Sequence, residues 1–475
     1  MQDIQQQKDA MQSKIWLIIL IYWFSGLFCR AQPQALDSIP NALSNITINT
    51  DLRNNEGYLF FAPYFNQGYV VISNSDNEVV FYKEVGGYGA RDFKMHSNGM
   101  ISYFSGESAH FMILNKHLEV VDSVQCKNDL ITDFHDFSIL PNKNYCLLCR
   151  GTAFKDFSPV GGAAEHLAVN PVIQIQDSLH QVIYEWEAAT HFDGLHVIYP
   201  LNNFNPNGNL KNFIHLNSFD VDVKGNFLIS ARFQSQVSYV DQLSGEIVWR
   251  FGGPQNEFTF TNDVGFSDQH SVRWTGENTI LLFDNGCFDE KNYSRAVEYF
   301  IDLEEKTATK IWEFVRPDSI HTGTLGSCQR LSNGNTLTSW GDAGMVPLTL
   351  LEISTKGEVV FDLKMDSLIY TYSAYAFKWP VVKDTVETAV NINNKSPINI
   401  YPNPSSNYFI LEFDALLQVS KFELTNCLGQ VVLAQDISAQ KTSVRVIHQL
   451  LQGVYFLRMM NKEKPILCKK LIVGA

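Results

Sequence analysis

The feature that most constrains the fold is a phrase that returns five times: a few residues, a turn containing Asn or Gly, and an apolar strand. The turn residues supply the positive φ that a tight hairpin needs. Almost no stretch with a helical period separates the copies, so the pattern predicts an all-β chain. The copies are FKMHSNGMISYF from Phe93, FSILPNKNYCLL from Phe137, FDVDVKGNFLIS from Phe219, VRWTGENTILLF from Val272 and CQRLSNGNTLTSW from Cys328.

The spacing of these copies predicts the architecture. Intervals of roughly 40 to 80 residues suit four-stranded propeller blades, the longest with a loop insertion between Gly151 and Asn212. We therefore predict a six-bladed β-propeller over residues 40–380. A single long β-sandwich and a β-helix are the alternatives, but the first is too small for this length and the second would need a shorter repeat. The polar run 381–396 predicts a linker, and alternating strands over 397–475 predict a small C-terminal β-sandwich.

The N-terminus predicts export. Lys14 precedes an apolar run from Ile15 to Phe28, and the small residue Ala31 follows. A basic residue, a run of this length and a small residue indicate a signal peptide over 1–31. The alternative, a membrane anchor, would need about 20 apolar residues. The net charge of −14 disfavours a nucleic-acid partner, since that binding requires clustered Lys and Arg.

The cysteines are less informative. Apart from Cys29 there are seven cysteines. An exported protein can form disulfides, but an odd count with scattered spacing defines no pairing. Cys146 and Cys149 belong to one strand-like run, YCLLC. Without a second C-x-x-C a zinc site is not expected, and we predict that both are small buried apolar residues.

Histidine is the residue most suited to chemistry near neutral pH. His135, His215 and His270 stand just before copies of the phrase, whereas His96 lies in a turn and is expected to be exposed. Equivalent places in successive blades converge on one mouth of the propeller channel, so the three rings should meet there. The alternatives are a structural hydrogen bond between blades and a metal site. No close pair of histidines is present, so we predict no metal.

The propeller region resembles a known family, the bacterial arylsulfotransferases that do not use PAPS. The resemblance covers roughly 45–380 and is carried by five motifs. These are HLNSFDVDVKGNFLISAR, SGEIVWRFGG, QHSVRWTGENTILLFDNG, GSCQRLSNGNTLTSWG and YSAYAFKWP.

This resemblance implies a six-bladed propeller that moves a sulfuryl group from a phenolic sulfate ester to a phenol through a sulfohistidine, with no cofactor. His270 would be the nucleophile. His215, Asn217 and Arg232 would bind sulfate oxygens, and His135 would assist proton transfer or orientation. His270 precedes SVRW where relatives often carry an acidic residue, which leaves its orienting partner unassigned.

The C-terminal region, 397–475, resembles the type A sorting domain of the type IX secretion system. The resemblance is carried by IYPNPSS, LGQVV, GVYFLRM and the final KKLIV, and an adhesion or carbohydrate-binding sandwich is the alternative. It implies contact with the type IX machinery and a secreted or cell-surface location. Two alternatives to aryl sulfotransfer stay open: a non-catalytic surface propeller that binds glycans or proteins, and a sulfate-ester hydrolase.

Overall fold

The structure is a computed structural model. It describes residues 40, 43, 46–53, 57–65, 67–194, 196, 212–287, 293–342, 346–365, 369–379, 398–401, 403, 405–413, 419–426, 430–437, 442–461 and 464–474. The expected signal peptide, 1–31, and the expected linker, 381–396, lie outside the described residues. The chain divides into two compact units, Met1–Val382 and Lys383–Ala475.

The described residues of the first unit contain the strands named below and three short 3-10 turns, at Ser158–Val160, Ala188–Thr190 and Arg232–Gln234. Its first strands are β1 Ile46–Asp51, β2 Tyr58–Phe61, β3 Tyr64–Phe65, β4 Gln67–Ser73, β5 Val79–Val85, β6 Ala90–Met95, β7 Ile101–Ser105, β8 His110–Leu114, β9 Val120–Val124, β10 Ile131–Ile139, β11 Tyr145–Lys155, β12 His166–Gln176 and β13 Val182–Glu187. The others are β14 Leu216–Val221, β15 Phe227–Ala231, β16 Gln236–Val240, β17 Ile247–Phe251, β18 Thr259–Phe260, β19 His270–Gly276, β20 Thr279–Asp284, β21 Arg295–Asp302, β22 Thr307–Val315, β23 Ser327–Arg330, β24 Thr336–Asp342, β25 Val346–Ile353, β26 Val359–Met365 and β27 Ala374–Phe377.

These strands form six mainly antiparallel sheets, which we call blades 1 to 6. Blades 2, 3 and 4 are continuous runs of four strands, β6–β9, β10–β13 and β14–β17. Blade 5 holds β19–β22, with the short β18 added in parallel to β22. Blade 1 takes its innermost strand, β27, from the far end of the propeller, and blade 6 takes its outermost strand, β1, from the start. Both chain ends therefore help to close the ring.

Closure is visible in the apolar core as well. The innermost strands contact one another in the order β27, β6, β10, β14, β19, β23 and back to β27. Each of six hydrophobic clusters lies between two neighbouring blades, the first and last blades included. Burial against two neighbours removes both faces of every sheet from water, which is the main stabilising term for such a fold. The predicted class, a six-bladed all-β propeller, is confirmed.

The repeated phrase forms the hairpin between the first two strands of a blade. All five turns carry one residue in the left-handed region: Gly99, Lys143, Gly225, Asn278 and Gly334, with φ between 59° and 91°. Backbone hydrogen bonds close four of these turns in the same way, for example Gly99 N–H to His96 O at 2.9 Å and Gly334 N–H to Leu331 O at 2.9 Å, whereas the turn at Asn278 is a tighter hairpin in which Gly276 pairs with Thr279. The turn residues therefore have the positive φ that the sequence predicted.

Three expectations are corrected. Part of the insertion expected between Gly151 and Asn212 is strand, because residues 151–155, 166–176 and 182–187 belong to β11, β12 and β13 of blade 3, whereas residues 197–211 lie outside the described residues. Cys149 is not a free apolar residue: it forms a disulfide with Cys126, with 6.0 Å between their Cα atoms. Cys146, which faces the opposite side of the sheet by the strand period, is free and buried as expected.

His96 is the third correction, since its side chain is buried rather than exposed. Its Nε2 contacts Ser102 Oγ at 2.7 Å, and its Nδ1 accepts a hydrogen bond from the Ile139 backbone at 3.2 Å. It therefore joins blade 2 to blade 3, a structural role that a turn position did not reveal.

The second unit consists of two antiparallel sheets. One contains β28 Ile398–Tyr401, β29 Tyr408–Phe413 and β32 Ser443–Ile447. The other contains β30 Lys421–Thr425, β31 Val431–Asp436, β33 Gly453–Asn461 and β34 Lys464–Val473. Side chains from both sheets, including Phe409, Phe422 and Leu457, form one buried cluster, so this unit is the expected small sandwich.

Candidate active site

Four of the five residues singled out in the sequence lie on or next to three adjacent inner strands, β10, β14 and β19, and Arg232 lies in the 3-10 turn that follows β15. Pairing with the second strand is irregular at these places, between Thr132 and Phe137 in β10, Leu216 and Ser218 in β14, and His270 and Arg273 in β19. Such bulges re-aim side chains and are frequent beside active sites. In a regularly paired strand, successive side chains alternate between the two faces of the sheet. A bulge changes this alternation and so changes the direction of the polar side chains beside it.

Ring contacts bring the histidines together around a tyrosine. The His135 ring centroid lies 5.0 Å from that of His215 and 5.4 Å from that of Tyr372. The His270 ring centroid is 6.4 Å from that of Tyr372. The three imidazoles therefore lie in one cluster, in which Tyr372 contacts His135 and His270.

His270 is held in one tautomer. The side-chain amide of Asn285 donates from Nδ2 to the carbonyls of Thr322 at 2.8 Å and Leu325 at 3.0 Å, which turns its Oδ1 toward His270. That oxygen lies 2.7 Å from His270 Nδ1, and the Asp268 carbonyl lies 3.1 Å from the same nitrogen. Both are acceptors, so Nδ1 carries the proton and the lone pair is on Nε2.

Burial keeps this imidazole neutral. Burial first, and then the nearby positive charge of Arg232, lower the pKa of His270 to about 3 against the opposing effect of the Asn285 hydrogen bond. No described residue hydrogen-bonds to Nε2. At neutral pH the side chain is therefore an uncharged, oriented base or nucleophile.

Arg232 and His270 both contact Asp268. It begins the 3-10 turn that follows β15, and its Nη2 donates to the Gly323 carbonyl at 3.0 Å. Its Nε is 3.4 Å from the Asp268 carboxylate, longer than a tight charge-assisted hydrogen bond. Since the Asp268 carbonyl contacts His270, this one residue connects the cation to the imidazole.

His215 lies close to Arg232 and His135 but is itself uncharged at neutral pH. Its Nδ1 is 3.1 Å from the side-chain amide nitrogen of Asn212, which therefore acts as the donor. Burial, followed by the neighbouring His135 and Arg232, lowers the pKa of His215 well below its usual range. Its backbone is in the left-handed region with φ of 54°, a conformation that L-residues adopt at a cost and that clusters at functional sites.

His135 has the acidic partner that His270 lacks. Its Nδ1 and its backbone N–H both contact Asp133 Oδ1. Burial alone would raise the pKa of Asp133, but His135 and Arg150 lower it, so the carboxylate is ionised. The Phe134 ring stacks on the imidazole with centroids 4.2 Å apart. The pair has the arrangement of a general base and the carboxylate that orients it.

Asn217 is fully buried, and its amide orientation is set by one contact. Nδ2 donates to the Gln269 carbonyl at 2.7 Å, while the Asn217 backbone carbonyl accepts from the Tyr372 hydroxyl at 2.7 Å. One amide N–H is thus engaged within the protein. Its Oδ1 has no hydrogen-bond partner among the described residues.

Four residues of this site were missed in the sequence: Asp133, Asp268, Asn285 and Tyr372. Asp268 and Asn285 lie in segments that carry family motifs, but nothing local shows that an amide 15 residues later reaches His270. Tyr372 is more than 150 residues from Asn217 and reaches it only because β27 closes the ring. The described ranges contain no group of three or more His, Cys, Asp or Glu side chains suited to a metal ion.

Comparison with known proteins bears on this geometry. A family model described as arylsulfotransferase (ASST) matches residues 91–366, more than half of the 475-residue chain. The chain belongs to the arylsulfotransferase family. The family suggests small aryl substrates. The match spans blades 3, 4 and 5 completely and includes all of the histidines described above. Among curated proteins, none matches this chain.

A second family model, described as a secretion system C-terminal sorting domain, matches residues 399–474. The sorting domain marks the protein for secretion and cell-surface attachment. Within the described part of the chain, no helix is both long and apolar enough to cross a membrane.

Solved structures are similar at low sequence identity. A protein of unknown function from Bacteroides caccae shares 14% identity over 68% of this chain and 100% of its own, with a TM-score of 0.45. A catalytically inactive virginiamycin B lyase from Staphylococcus aureus, solved with quinupristin, shares 9% identity over 78% of this chain and 96% of its own, with a TM-score of 0.35.

Proposed function

We propose that the protein is an exported aryl sulfotransferase that moves a sulfuryl group from a phenolic sulfate ester to a phenol through a sulfohistidine at His270. The observation that carries the proposal is the held tautomer of His270: Nδ1 is bound by two acceptors, and Nε2 keeps its lone pair. A neutral imidazole with one fixed lone pair is what nucleophilic attack at sulfur requires.

In the first half-reaction, His270 Nε2 attacks the sulfur of the donor ester. The N–S bond forms as the S–O bond to the aryl group breaks, and the phenolate leaves with the electron pair. The imidazole ring gains positive charge, which the Asn285 and Asp268 oxygens at Nδ1 stabilise. Arg232, His215 and the remaining amide hydrogen of Asn217 face the negative sulfuryl oxygens, as preorganised donors do in related group transfers.

In the second half-reaction, the acceptor phenol loses its proton to His135 and its oxygen attacks sulfur. The new S–O bond forms, the electrons of the broken N–S bond return to Nε2 so that His270 is regenerated, and His135 then releases its proton to solvent. The Asp133 carboxylate stabilises the imidazolium that forms at His135. The partners are a small phenolic sulfate and a phenol acceptor, and the proposed chemistry routes no step through a nucleotide or a metal.

The test is turnover of 4-nitrophenyl sulfate with a panel of phenols and no nucleotide. We expect 4-nitrophenol release that depends on the phenol, and a sulfated His270 detectable by peptide mass spectrometry when the acceptor is withheld. His270→Ala should abolish both. His180→Ala is the matched control, because that histidine contacts Asp122 on the outer part of the propeller. Full activity in His270→Ala would refute the proposal.

A second candidate, hydrolysis of sulfate esters, is favoured by a small cavity of about 10 Å³ beside His135 and Asn217. This volume is roughly that of one water-sized sphere. Two buried oxygens along it, Asn217 Oδ1 and Ser373 Oγ, have no partner among the described residues. A water there would lie near the proposed base. Release of 4-nitrophenol and free sulfate at a rate independent of added phenol would favour the hydrolase.

A further inference from the structure

The opposite end of the propeller channel contains a larger cavity that the proposed reaction does not use. Its volume is about 720 Å³, and the C-terminal halves of all six innermost strands line it. We call it the far chamber. Along β19, His270 is the first residue and Trp274, which lines the far chamber, is the fifth. Four residues of strand span roughly 13 Å. Arg273 and Tyr375 line both the far chamber and the small cavity beside His135, so the far chamber lies further along the same channel, displaced from His270 toward the C-terminal ends of the inner strands.

A cluster of buried charges occupies the inner wall of the far chamber. Lys94 Nζ lies 2.8 Å from Asp92 and 2.7 Å from Asp136, and Arg273 Nη2 lies 2.7 Å from Asp136. Arg330 is paired in the same way with Glu298 at 2.6 Å. Each cation thus already has a carboxylate. An anionic ligand would have to compete with these pairs, whose disruption leaves a buried charge uncompensated.

One carboxylate of the far chamber is different. Asp220 accepts hydrogen bonds from the backbone N–H groups of Val221 at 2.9 Å and Trp274 at 3.0 Å, and it forms no ion pair with any described residue. A carboxylate offers about four acceptor positions, so two are left for a ligand. Arg273 carries positive charge close by, which disfavours a cationic ligand at the same place.

Aromatic surface lies beside this acceptor. Trp274 and Phe377 line the far chamber and are partly exposed. Trp274 is held edge-on against Tyr239 and Trp249, with centroids 6.0 Å and 6.2 Å away, which fixes its ring. Partly exposed aromatic side chains next to a hydrogen-bond acceptor and paired cations suit a ligand with apolar C–H surface and many hydroxyl groups.

From this constellation we propose that the far chamber binds a neutral saccharide. Hydroxyl groups both donate and accept, so they can use Asp220 as well as the guanidinium edges without displacing an ion pair. The cavity volume is within the range of small-molecule sites. The sorting domain exports the protein, so this chamber meets extracellular glycans. The site is independent of sulfuryl transfer.

The experiment is a binding measurement on the full chain without its expected signal peptide. Calorimetric titrations use four neutral trisaccharides (maltotriose, cellotriose, mannotriose and triacetylchitotriose) and trigalacturonate as the anionic arm, and a glycan array extends the neutral set. We expect a neutral saccharide to bind and trigalacturonate not to. Asp220→Asn and Trp274→Ala should each weaken binding at least tenfold. Asp241→Asn, in the outer hairpin of the same blade, is the matched control.

Two further readouts separate this proposal from the proposed enzymatic function. His270→Ala should leave saccharide binding unchanged, and Asp220→Asn should leave turnover of 4-nitrophenyl sulfate unchanged. The proposal is overturned if no neutral glycan binds the folded protein, or if trigalacturonate binds more tightly than every neutral sugar. It is also overturned if both chamber variants, shown to be folded by circular dichroism, bind as the wild type does.

Discussion

The sharpest prediction concerns Asn285, whose only proposed task in the reaction is to hold His270. Replacing it with Ala removes the acceptor 2.7 Å from His270 Nδ1 and leaves the Asp268 carbonyl at 3.1 Å as the single remaining partner. As Nε2 attacks sulfur, positive charge develops on the ring, so the lost hydrogen bond is one to a charged group. Such bonds contribute about 1.5–3 kcal/mol. At about 1.4 kcal/mol for each factor of ten, kcat should fall roughly 10- to 150-fold.

The assay is steady-state release of 4-nitrophenol at saturating phenol, with KM measured in the same experiment. We expect most of the loss in kcat, because the charge appears only in the transition state. The substitution also leaves the Thr322 and Leu325 carbonyls without their donor, so rates must be taken well below the unfolding temperature and referred to folded protein.

The control is Asn226→Ala. Asn226 is also buried, and its side chain makes two hydrogen bonds, to the Tyr239 hydroxyl at 2.9 Å and from the Gln242 backbone at 3.0 Å, but it lies away from the three histidines. This variant should lose stability and keep its kcat. Equal losses in both variants would show a general effect of destabilisation. A folded Asn285→Ala protein with a kcat within threefold of wild type would refute the orienting role.

Three other predictions follow from the geometry. Arg232→Lys keeps the charge but loses the two-point hold of the guanidinium on Gly323 and Asp268, so KM for 4-nitrophenyl sulfate should rise at least tenfold, and an unchanged KM would contradict the sulfate-binding role. Burial lowers the pKa values of His96 and His270 to about 3, below about 6.5 in the unfolded chain; their contribution is therefore complete above pH 6.5 and is lost on acidification toward pH 3, at up to about 1.4 kcal/mol per pH unit for each. Thermal unfolding from pH 7.5 to 4.5 should show this loss, with a smaller slope in His96→Gln, and equal slopes would contradict it. Replacing both Cys126 and Cys149 with Ala should lower the free energy of unfolding by about 3 kcal/mol, since the crosslink closes a loop of 23 residues. Denaturant titration with and without a reducing agent measures this difference, and an unchanged free energy of unfolding would contradict the prediction.

Local signals carried much of the fold. Gly99 and Gly225 could be assigned positive φ from the sequence because the turn chemistry depends on adjacent residues only. The apolar strands that follow these glycines, and the repeat of about four strands per blade, could also be predicted from the sequence. The turn at Lys143 has the same conformation without glycine, which shows that the flanking strands, and not only residue preference, decide it.

The candidate site was only partly accessible in this way. Its histidines could be chosen because each precedes or enters an inner strand of the repeat. Their partners could not, since Asn285, Asp268 and Tyr372 reach them through bulges and through closure of the ring. His96 shows the same limit: its turn is local, but its burial depends on the Ile139 backbone of the next blade.

What the sequence by itself determined, then, is the all-β class, the blade rhythm, the export domain and the residue types that could act on a sulfate ester. Only the tertiary structure decided which nitrogen of His270 carries the proton, that Cys149 pairs with Cys126, and that a second chamber with Asp220 lies at the other end of the channel. The physical reason is range: turns and strands are set by neighbours in the chain, whereas tautomers, disulfides and cavities are set by contacts that exist only after six blades have closed on one another.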